Sequence, residues 1–99
     1  MSFKVLVDVL AVQDIQEAIN YYEEKSIGLG KKFESELNEQ IEFLTKNPFL
    51  RVRYEEVRCL GLKVFPFIIH FTVDDSIKTI TIRAVFHTSQ NPQNWSNRP

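Results

Sequence analysis

The sequence predicts an α+β fold in which a helical hairpin packs on a mainly antiparallel, four-stranded sheet, in the order β-α-α-β-β-β. Three observations lead to this prediction. An alternating apolar run opens the chain, two segments with helical periodicity follow, and three more alternating runs occupy the second half. Period-2 alternation is typical of strands and period-3.6 repetition of helices. The 99 residues are expected to form one domain over residues 1–99.

The first strand and the first helix are predicted from the N-terminal third. Apolar and mixed positions alternate over residues 3–10, which indicates a strand. Asp14 is expected to cap the first helix, with Glu17 in the capping-box position three residues later. The buried stripe of this helix is predicted to contain Ile15, Ala18, Ile19 and Tyr22.

The second helix is predicted from about Leu29 to Lys46. Gly28 and Gly30 permit the tight bend that precedes it, and the Asn47-Pro48 pair ends it because the residue before proline avoids helical geometry. The predicted apolar stripe contains Leu29, Phe33, Leu37, Ile41 and Leu44, with Phe43 beside it.

The last three strands are predicted to form an antiparallel meander with a definite register. If Phe71 lies opposite Ile82, the apolar residues of the last hairpin share one face under the helices. Ala84 and Phe86 are then expected under the helices. The opposite face is predicted to expose His70, Thr72, Thr81, Arg83 and His87.

His70, Arg83 and His87 are the candidate catalytic residues. Directly paired residues on neighbouring strands lie about 5 Å apart, so His70 and Arg83 are expected to act on one anion. Histidine can move protons near neutral pH and arginine can hold phosphate oxygens, which suits RNA cleavage by general acid–base chemistry. The alternative interpretation is an ordinary polar sheet face. No sequence motif for a metal site is present, and no cofactor is expected.

The charge distribution, the absence of a long apolar run and the single cysteine limit the classes of protein to which the chain could belong. Residues 1–45 carry four basic and nine acidic side chains, whereas residues 46–99 carry eight basic and four acidic ones. The net charge of −1 gives no support to a strongly electrostatic nucleic-acid binder. No run is long enough to span a membrane, and Cys59 has no second cysteine to pair with, so a cytoplasmic location is expected.

Two long segments together resemble the RelE/ParE toxin superfamily. The segment DIQEAINYYEEKSIGLGKKFESELNEQIEFLTKNP is similar to the helical hairpin of that superfamily. The segment VRCLGLKVFPFIIHFTVDDSIKTITIRAVFHTSQNPQNW is similar to its meander, with Arg58, the Phe65-Pro66-Phe67 unit, His87 and the Pro92…Trp95 tail in the same order. The resemblance implies a toxin of a type II toxin–antitoxin operon, of the kind often described as plasmid stabilisation proteins.

The resemblance also implies a cognate antitoxin partner and favours the ParE-like branch. RelE-like members cleave mRNA on the ribosome with basic residues and a tyrosine, whereas ParE-like members inhibit DNA gyrase. In this chain Phe67 stands where those nucleases commonly hold an arginine, Ser89 and Gln90 stand where basic residues are expected, and no tyrosine follows Tyr54. These departures favour a non-enzymatic toxin.

The sequence is therefore compatible with three hypotheses about function. The first is a ParE-like toxin that binds a protein target such as gyrase. The second is a RelE-like endoribonuclease, and the third is a degenerate toxin that only binds its antitoxin. The residues expected to bind a partner are Arg58, Trp95 and Arg98. Leu6, Leu10, Phe43 and Phe49 are the apolar positions expected to receive an amphipathic segment of the antitoxin.

Overall fold

The computed structural model describes residues 2–90 of the chain. Seven elements follow one another in this part of the protein. They are β1 (Lys4–Val7), α1 (Val9–Lys25), α2 (Leu29–Lys46), β2 (Val52–Tyr54), β3 (Val57–Gly61), β4 (Phe67–Asp74) and β5 (Thr79–His87). Neither helix combines the length and the apolar run that crossing a bilayer would require.

The strands form one mixed sheet in the order β1-β5-β4-β3-β2. β1 runs parallel to β5, and the other neighbours are antiparallel. The predicted α+β class and element order are confirmed, but the sheet has five strands and not four. The additional strand, β2, contains only three residues, which is too short for an alternating pattern to reveal it.

The turn between β2 and β3 shows why this hairpin was not predicted. Glu55 and Glu56 form this turn, with φ angles of 41° and 67°. Two-residue hairpin turns usually place Asn or Gly at such left-handed positions. The sequence signal that normally marks a hairpin is therefore missing here.

The hydrophobic core lies between the two helices and one face of the sheet. Its fully buried centre includes Leu44 and Phe33 of α2, together with Ile69, Phe71 and Ile82 of the sheet. Phe33 is surrounded by aromatic rings, with centroid distances of 5.6, 5.4 and 5.1 Å. These rings belong to Tyr22, Phe65 and Phe67. The predicted apolar stripes of both helices therefore face the sheet.

The predicted start of the first helix is wrong. α1 begins at Val9, one residue after β1, and Asp8 is its N-cap residue with extended backbone angles. The backbone carbonyl of Asp8 accepts the first helical hydrogen bond from Val12, at 2.9 Å, whereas the Asp8 side chain makes no capping bond. Asp14 therefore lies inside the helix, where its carboxylate contacts β5. The alternating apolar residues after Val7 continue as helix because the β1–β5 pairing ends there.

The bend between the helices is as predicted, and α2 has its predicted bounds. Gly28 has a φ angle of 88°, in the left-handed region that favours glycine. The Glu23 carboxylate accepts hydrogen bonds from the backbone N–H groups of Gly28 and Gly30, at 2.9 and 3.1 Å. A side chain of α1 thus caps the free donors at the start of α2.

Glu36 of α2 anchors the loop between β3 and β4. Its carboxylate accepts hydrogen bonds from three successive backbone N–H groups, those of Lys63, Val64 and Phe65, with the shortest at 2.7 Å. Burial alone would raise the pKa of the Glu36 carboxyl, but these donors outweigh it and hold that pKa below the ordinary value of 4.5. The charged form of Glu36 therefore fixes this loop to the helix.

Replacing Glu36 with glutamine is expected to lower the free energy of unfolding at pH 7 by about 1–2 kcal/mol, because the amide is uncharged and keeps one acceptor oxygen for three donors. Since the pKa of Glu36 is lower in the folded state, its contribution is complete above the ordinary value of 4.5 and is lost as the pH falls through the folded value. Urea unfolding of both proteins at several pH values should show the difference shrinking on acidification.

Glu34→Gln is the matched control for this experiment. Glu34 lies on the same helix and is exposed, and its side chain makes no hydrogen bond or ion pair among residues 2–90. Its replacement should change stability little at any pH. An E36Q difference that stays constant down to pH 3 would contradict the proposed role of the carboxylate.

Candidate functional site: a cleft beside the bulged end of β5

A β-bulge in the β4–β5 hairpin decides where the predicted site residues lie. Phe71 pairs with Ile82, as predicted, but the next residue of β4, His70, pairs with Ala84. Arg83 is therefore the extra, unpaired residue of the bulge. The predicted pairing of His70 with Arg83 is wrong. Because side chains alternate along a strand, the rest of β5 faces opposite to the predicted direction.

Because of the bulge, each residue of β5 after Arg83 faces the side of the sheet opposite to the predicted one. Val85 packs in the core under the helices, where Phe86 was expected. Phe86 lies on the other face, with its ring centroid 5.0 Å from that of His70. His87 pairs with Phe67, and their ring centroids are 5.1 Å apart. His87 therefore lies on the helix side of the sheet and not on the predicted exposed face.

His70 is fully buried, at 0% exposure, and this corrects its predicted exposed position. Its Nδ1 lies 3.0 Å from the hydroxyl oxygen of Tyr54 and 3.4 Å from Sγ of Cys59. Burial raises the pKa of the Cys59 thiol, and the nearby charge of Arg53 offsets this only in part. The three side chains form an internal polar cluster in which Cys59 stays a thiol, so His70 is not presented to an external phosphate.

Arg83 is exposed and holds the bulge to the start of α1. Its Nη1 donates to Oδ2 of Asp8 at 2.9 Å, and its Nε donates to Oγ1 of Thr72 at 3.1 Å. The ion pair is open to water on both sides, which limits its contribution to stability to about 0–1 kcal/mol. The guanidinium thus binds a carboxylate and a hydroxyl of the same chain.

Beyond the end of β1, side-chain oxygens accept the hydrogen bonds that a neighbouring strand would otherwise accept from β5. The last pair of the parallel ladder joins Val7 to Ile82, so the following N–H groups of β5 have no strand beside them. Oδ2 of Asp14 accepts the N–H of Val85 at 3.0 Å, and Oε1 of Gln90 accepts that of His87 at 3.1 Å. Asp14 is predicted to cap a helix, but its carboxylate instead accepts a hydrogen bond from a backbone N–H group of β5.

A cleft of about 660 Å³ opens between α1 and this end of β5. We call it the His87 cleft. Asp14, Glu17 and Tyr21 line it from α1, and Phe67 and His87 line it from the sheet. The N–H of Ser89 donates to Nδ1 of His87 at 3.0 Å, which places the proton of the neutral imidazole on Nε2. The cleft therefore offers two carboxylates, an imidazole donor and an aromatic wall.

Sequence reasoning missed this arrangement although part of the signal was present. Asp14, Glu17 and Tyr21 are separated by three and four residues, so they share one face of a helix. Their approach to His87 could not be predicted, because it depends on the bulge at Arg83. Within residues 2–90, no three His, Cys, Asp or Glu side chains gather as they would around a metal ion.

The predicted binding residues are only partly described. Arg58 is half-buried at the β2 edge, where its Nε donates to the backbone carbonyl of Leu50 at 2.7 Å. Its guanidinium lies over the ring of Phe49, with Cζ 5.6 Å from the centroid. Trp95 and Arg98 lie outside the described residues.

The fold has clear relatives among solved structures. It is similar to a chain of the chromosomal ParDE toxin–antitoxin system from P. aeruginosa, with a TM-score of 0.73, 23% identity, and coverage of 89% of this chain and 98% of that one. It also matches the RelBE2 toxin–antitoxin complex of Mycobacterium tuberculosis, with a TM-score of 0.63 and 14% identity over 88% and 99% of the two chains. A free E. coli RelE mutant gives a TM-score of 0.61 at 11% identity over 97% and 93%.

Sequence comparison gives the family. No curated protein matches the chain. The profile of the family described as "ParE toxin of type II toxin-antitoxin system, parDE" matches residues 5–92, which is nearly the whole chain. The chain therefore belongs to the ParE toxin family of type II toxin–antitoxin systems.

Proposed function

We propose that this toxin arrests growth by binding a protein target, with DNA gyrase as the first candidate, and that a cognate antitoxin neutralises it. The observation that carries the proposal is the family match over residues 5–92. The described part of the site supports a binding role over catalysis, because His70 is buried and Arg83 is held by Asp8. The predicted histidine–arginine pair for acid–base chemistry is not assembled.

An antitoxin partner is supported by the relatives and by exposed apolar residues. The P. aeruginosa and M. tuberculosis structures come from toxin–antitoxin systems. In this chain Leu6 of β1 and Val9 and Val12 of α1 are 54%, 73% and 52% exposed. They lie beside the free edge of β1, which can accept an added strand or an amphipathic helix. Of the four apolar positions predicted to receive the antitoxin, Leu10 is half-buried, and Leu6, Phe43 and Phe49 are exposed.

The first test is a supercoiling assay with purified gyrase and relaxed plasmid. Supercoiling is expected to fall as the purified toxin is added, and to recover when the product of the neighbouring open reading frame is added first. Inducing the toxin alone in a bacterium should also stop growth. If growth stops but supercoiling is unchanged at high molar excess of toxin, gyrase is not the target.

RelE-like mRNA cleavage is the second candidate function, and His87 is the residue that favours it. His87 lines the open cleft with Tyr21, and the fold also matches RelE. Under this alternative, transcripts should show new 5′ ends after induction of the toxin and none after induction of the His87→Gln variant. If induction causes neither growth arrest nor cleavage while the antitoxin still co-purifies, the chain is a degenerate toxin.

A further inference from the structure

The β2 edge of the sheet carries an exposed aromatic and basic surface, of which the antitoxin proposal uses only Phe49. We define the Phe49 surface by Phe49, Arg51, Val52, Arg53 and Arg58. Its β2 residues lie at the opposite edge of the sheet from β1, whereas Phe49 contacts Phe3, the residue before β1. Phe49 is 59% exposed and Val52 is 45% exposed, although both are large apolar residues. An exposed apolar group at a strand edge is a common feature of binding surfaces.

Phe49 is exposed but held in place. Its ring packs edge-on against that of Phe3, with the centroids 5.7 Å apart and the planes at 86°. The guanidinium of Arg58 lies over the ring, and its Nε binds the carbonyl of the next residue, Leu50. A ring fixed in this way loses little conformational entropy on binding, which is typical of aromatic anchors at interfaces.

The charge around Phe49 is positive and largely uncompensated. Arg51 and Arg53 are exposed, and neither forms an ion pair with any residue in the 2–90 range. They flank Val52 on the outermost strand. The nearest acidic residues in sequence, Glu55 and Glu56, lie beyond the end of β2 in the turn. The middle of the edge therefore combines an apolar contact with two free guanidinium groups.

We propose that the Phe49 surface binds an extended acidic segment of a partner protein. Such a segment would add to β2, place carboxylates opposite Arg51 and Arg53, and bury an apolar side chain against Phe49. A nucleic acid fits less well, because a continuous polyanion running along the edge would meet Glu55 and Glu56. A peptide can confine its carboxylates to the two arginines. Val52 and Arg53 of β2, and Arg51 directly before them, lie at the opposite edge of the sheet from β1, so binding at β2 can be tested apart from the gyrase and antitoxin proposals.

The test uses a synthetic peptide in which glutamate alternates with valine and phenylalanine, titrated into the full-length ¹⁵N-labelled toxin. NMR signals of Phe49, Val52 and Arg53 should shift first. Replacing both arginines with glutamate in the double variant R51E/R53E should weaken peptide binding by about tenfold or more. The glutamates would repel the carboxylates of the peptide, which the arginines attract. The milder variant R51Q/R53Q should give a smaller loss and serves if the glutamate variant does not fold.

The matched control is K31E/K32E, which changes the net charge equally at two exposed lysines of α2. It should weaken binding by less than about threefold. Equal losses in the two charge-reversal variants would overturn the proposal, because they would indicate a general attraction. Shifts confined to other strands would also overturn it. Tighter binding of oligothymidylate than of the peptide at the same salt concentration would assign the surface to nucleic acid instead.

Discussion

Replacing Phe33 with alanine should lower the free energy of unfolding by about 3–5 kcal/mol, the range for removing a buried phenylalanine. Phe33 is fully buried, and its ring meets three other aromatic rings. Removing it leaves a cavity that the surrounding rings can fill only by moving. Domains of this size have a total stability of about 5–15 kcal/mol, so the variant is expected to be close to unfolding. Urea denaturation followed by far-ultraviolet circular dichroism measures the change.

Phe43→Ala on the same helix is the control for this experiment. The side chain removed is the same, but Phe43 is 45% exposed, so the loss should stay below about 1 kcal/mol. Equal losses in the two variants would show that packing beneath α2 does not depend on Phe33. Phe67 contacts both Phe33 and His87, so F33A should also disturb the His87 cleft, which the NMR signals of His87 would report.

Replacing Gly30 with valine is expected to have the second largest effect, a loss of about 3 kcal/mol or more. A Cβ atom on Gly30 would lie 2.6 Å from the backbone carbonyl oxygen of Ile19 and 3.1 Å from Oε1 of Glu23. The nearer atom belongs to the backbone of α1, so the two helices would have to separate. Thermal unfolding of the variant should show a lower midpoint than that of the wild-type protein.

Gly61→Ala separates this clash from the general effect of replacing glycine. A Cβ on Gly61 would meet nothing within 4 Å, and its φ angle is not in the left-handed region. Restricting the unfolded chain should therefore leave stability unchanged or raise it by up to about 1 kcal/mol. If Gly30→Val proved as mild as Gly61→Ala, the close approach of α1 and α2 at Gly30 would not be required for folding.

Much of the fold could be predicted because it depends on local patterns. The bounds of α2 follow from a long apolar stripe between two glycines and an Asn-Pro pair, and the structure confirms them. The start of α1 could not be predicted in the same way. The alternation of residues 3–10 is compatible with a longer strand, and only the length of the pairing with β5 ends it at Val7. Tertiary contacts decided that boundary.

The candidate site was less predictable because one inserted residue reverses a strand. Up to Ile82 the predicted register is correct, and beyond Arg83 it is not. Nothing in the run TITIRAVFH marks Arg83 as the bulged residue, since its contacts with Asp8 and Thr72 come from distant parts of the chain. The three predicted catalytic residues were therefore assigned to one face, whereas the fold distributes them among a buried cluster, an ion pair and a cleft.

The parallel pairing of β1 with β5 has a consequence for how the toxin is made. Lys4 pairs with Thr79 and Val7 with Ile82, so the first strand cannot join the sheet until β5, about 75 residues later, has been synthesised. Contacts this distant in sequence slow folding and leave strand edges open in the meantime. A ribosome that has synthesised the helical hairpin and β2 to β4 has not yet made the strand that joins β1 to the sheet. We therefore expect a polypeptide whose translation stops before residue 79 to lack the toxin fold. Any function that depends on this fold is therefore expected only after β5 has been synthesised and has paired with β1.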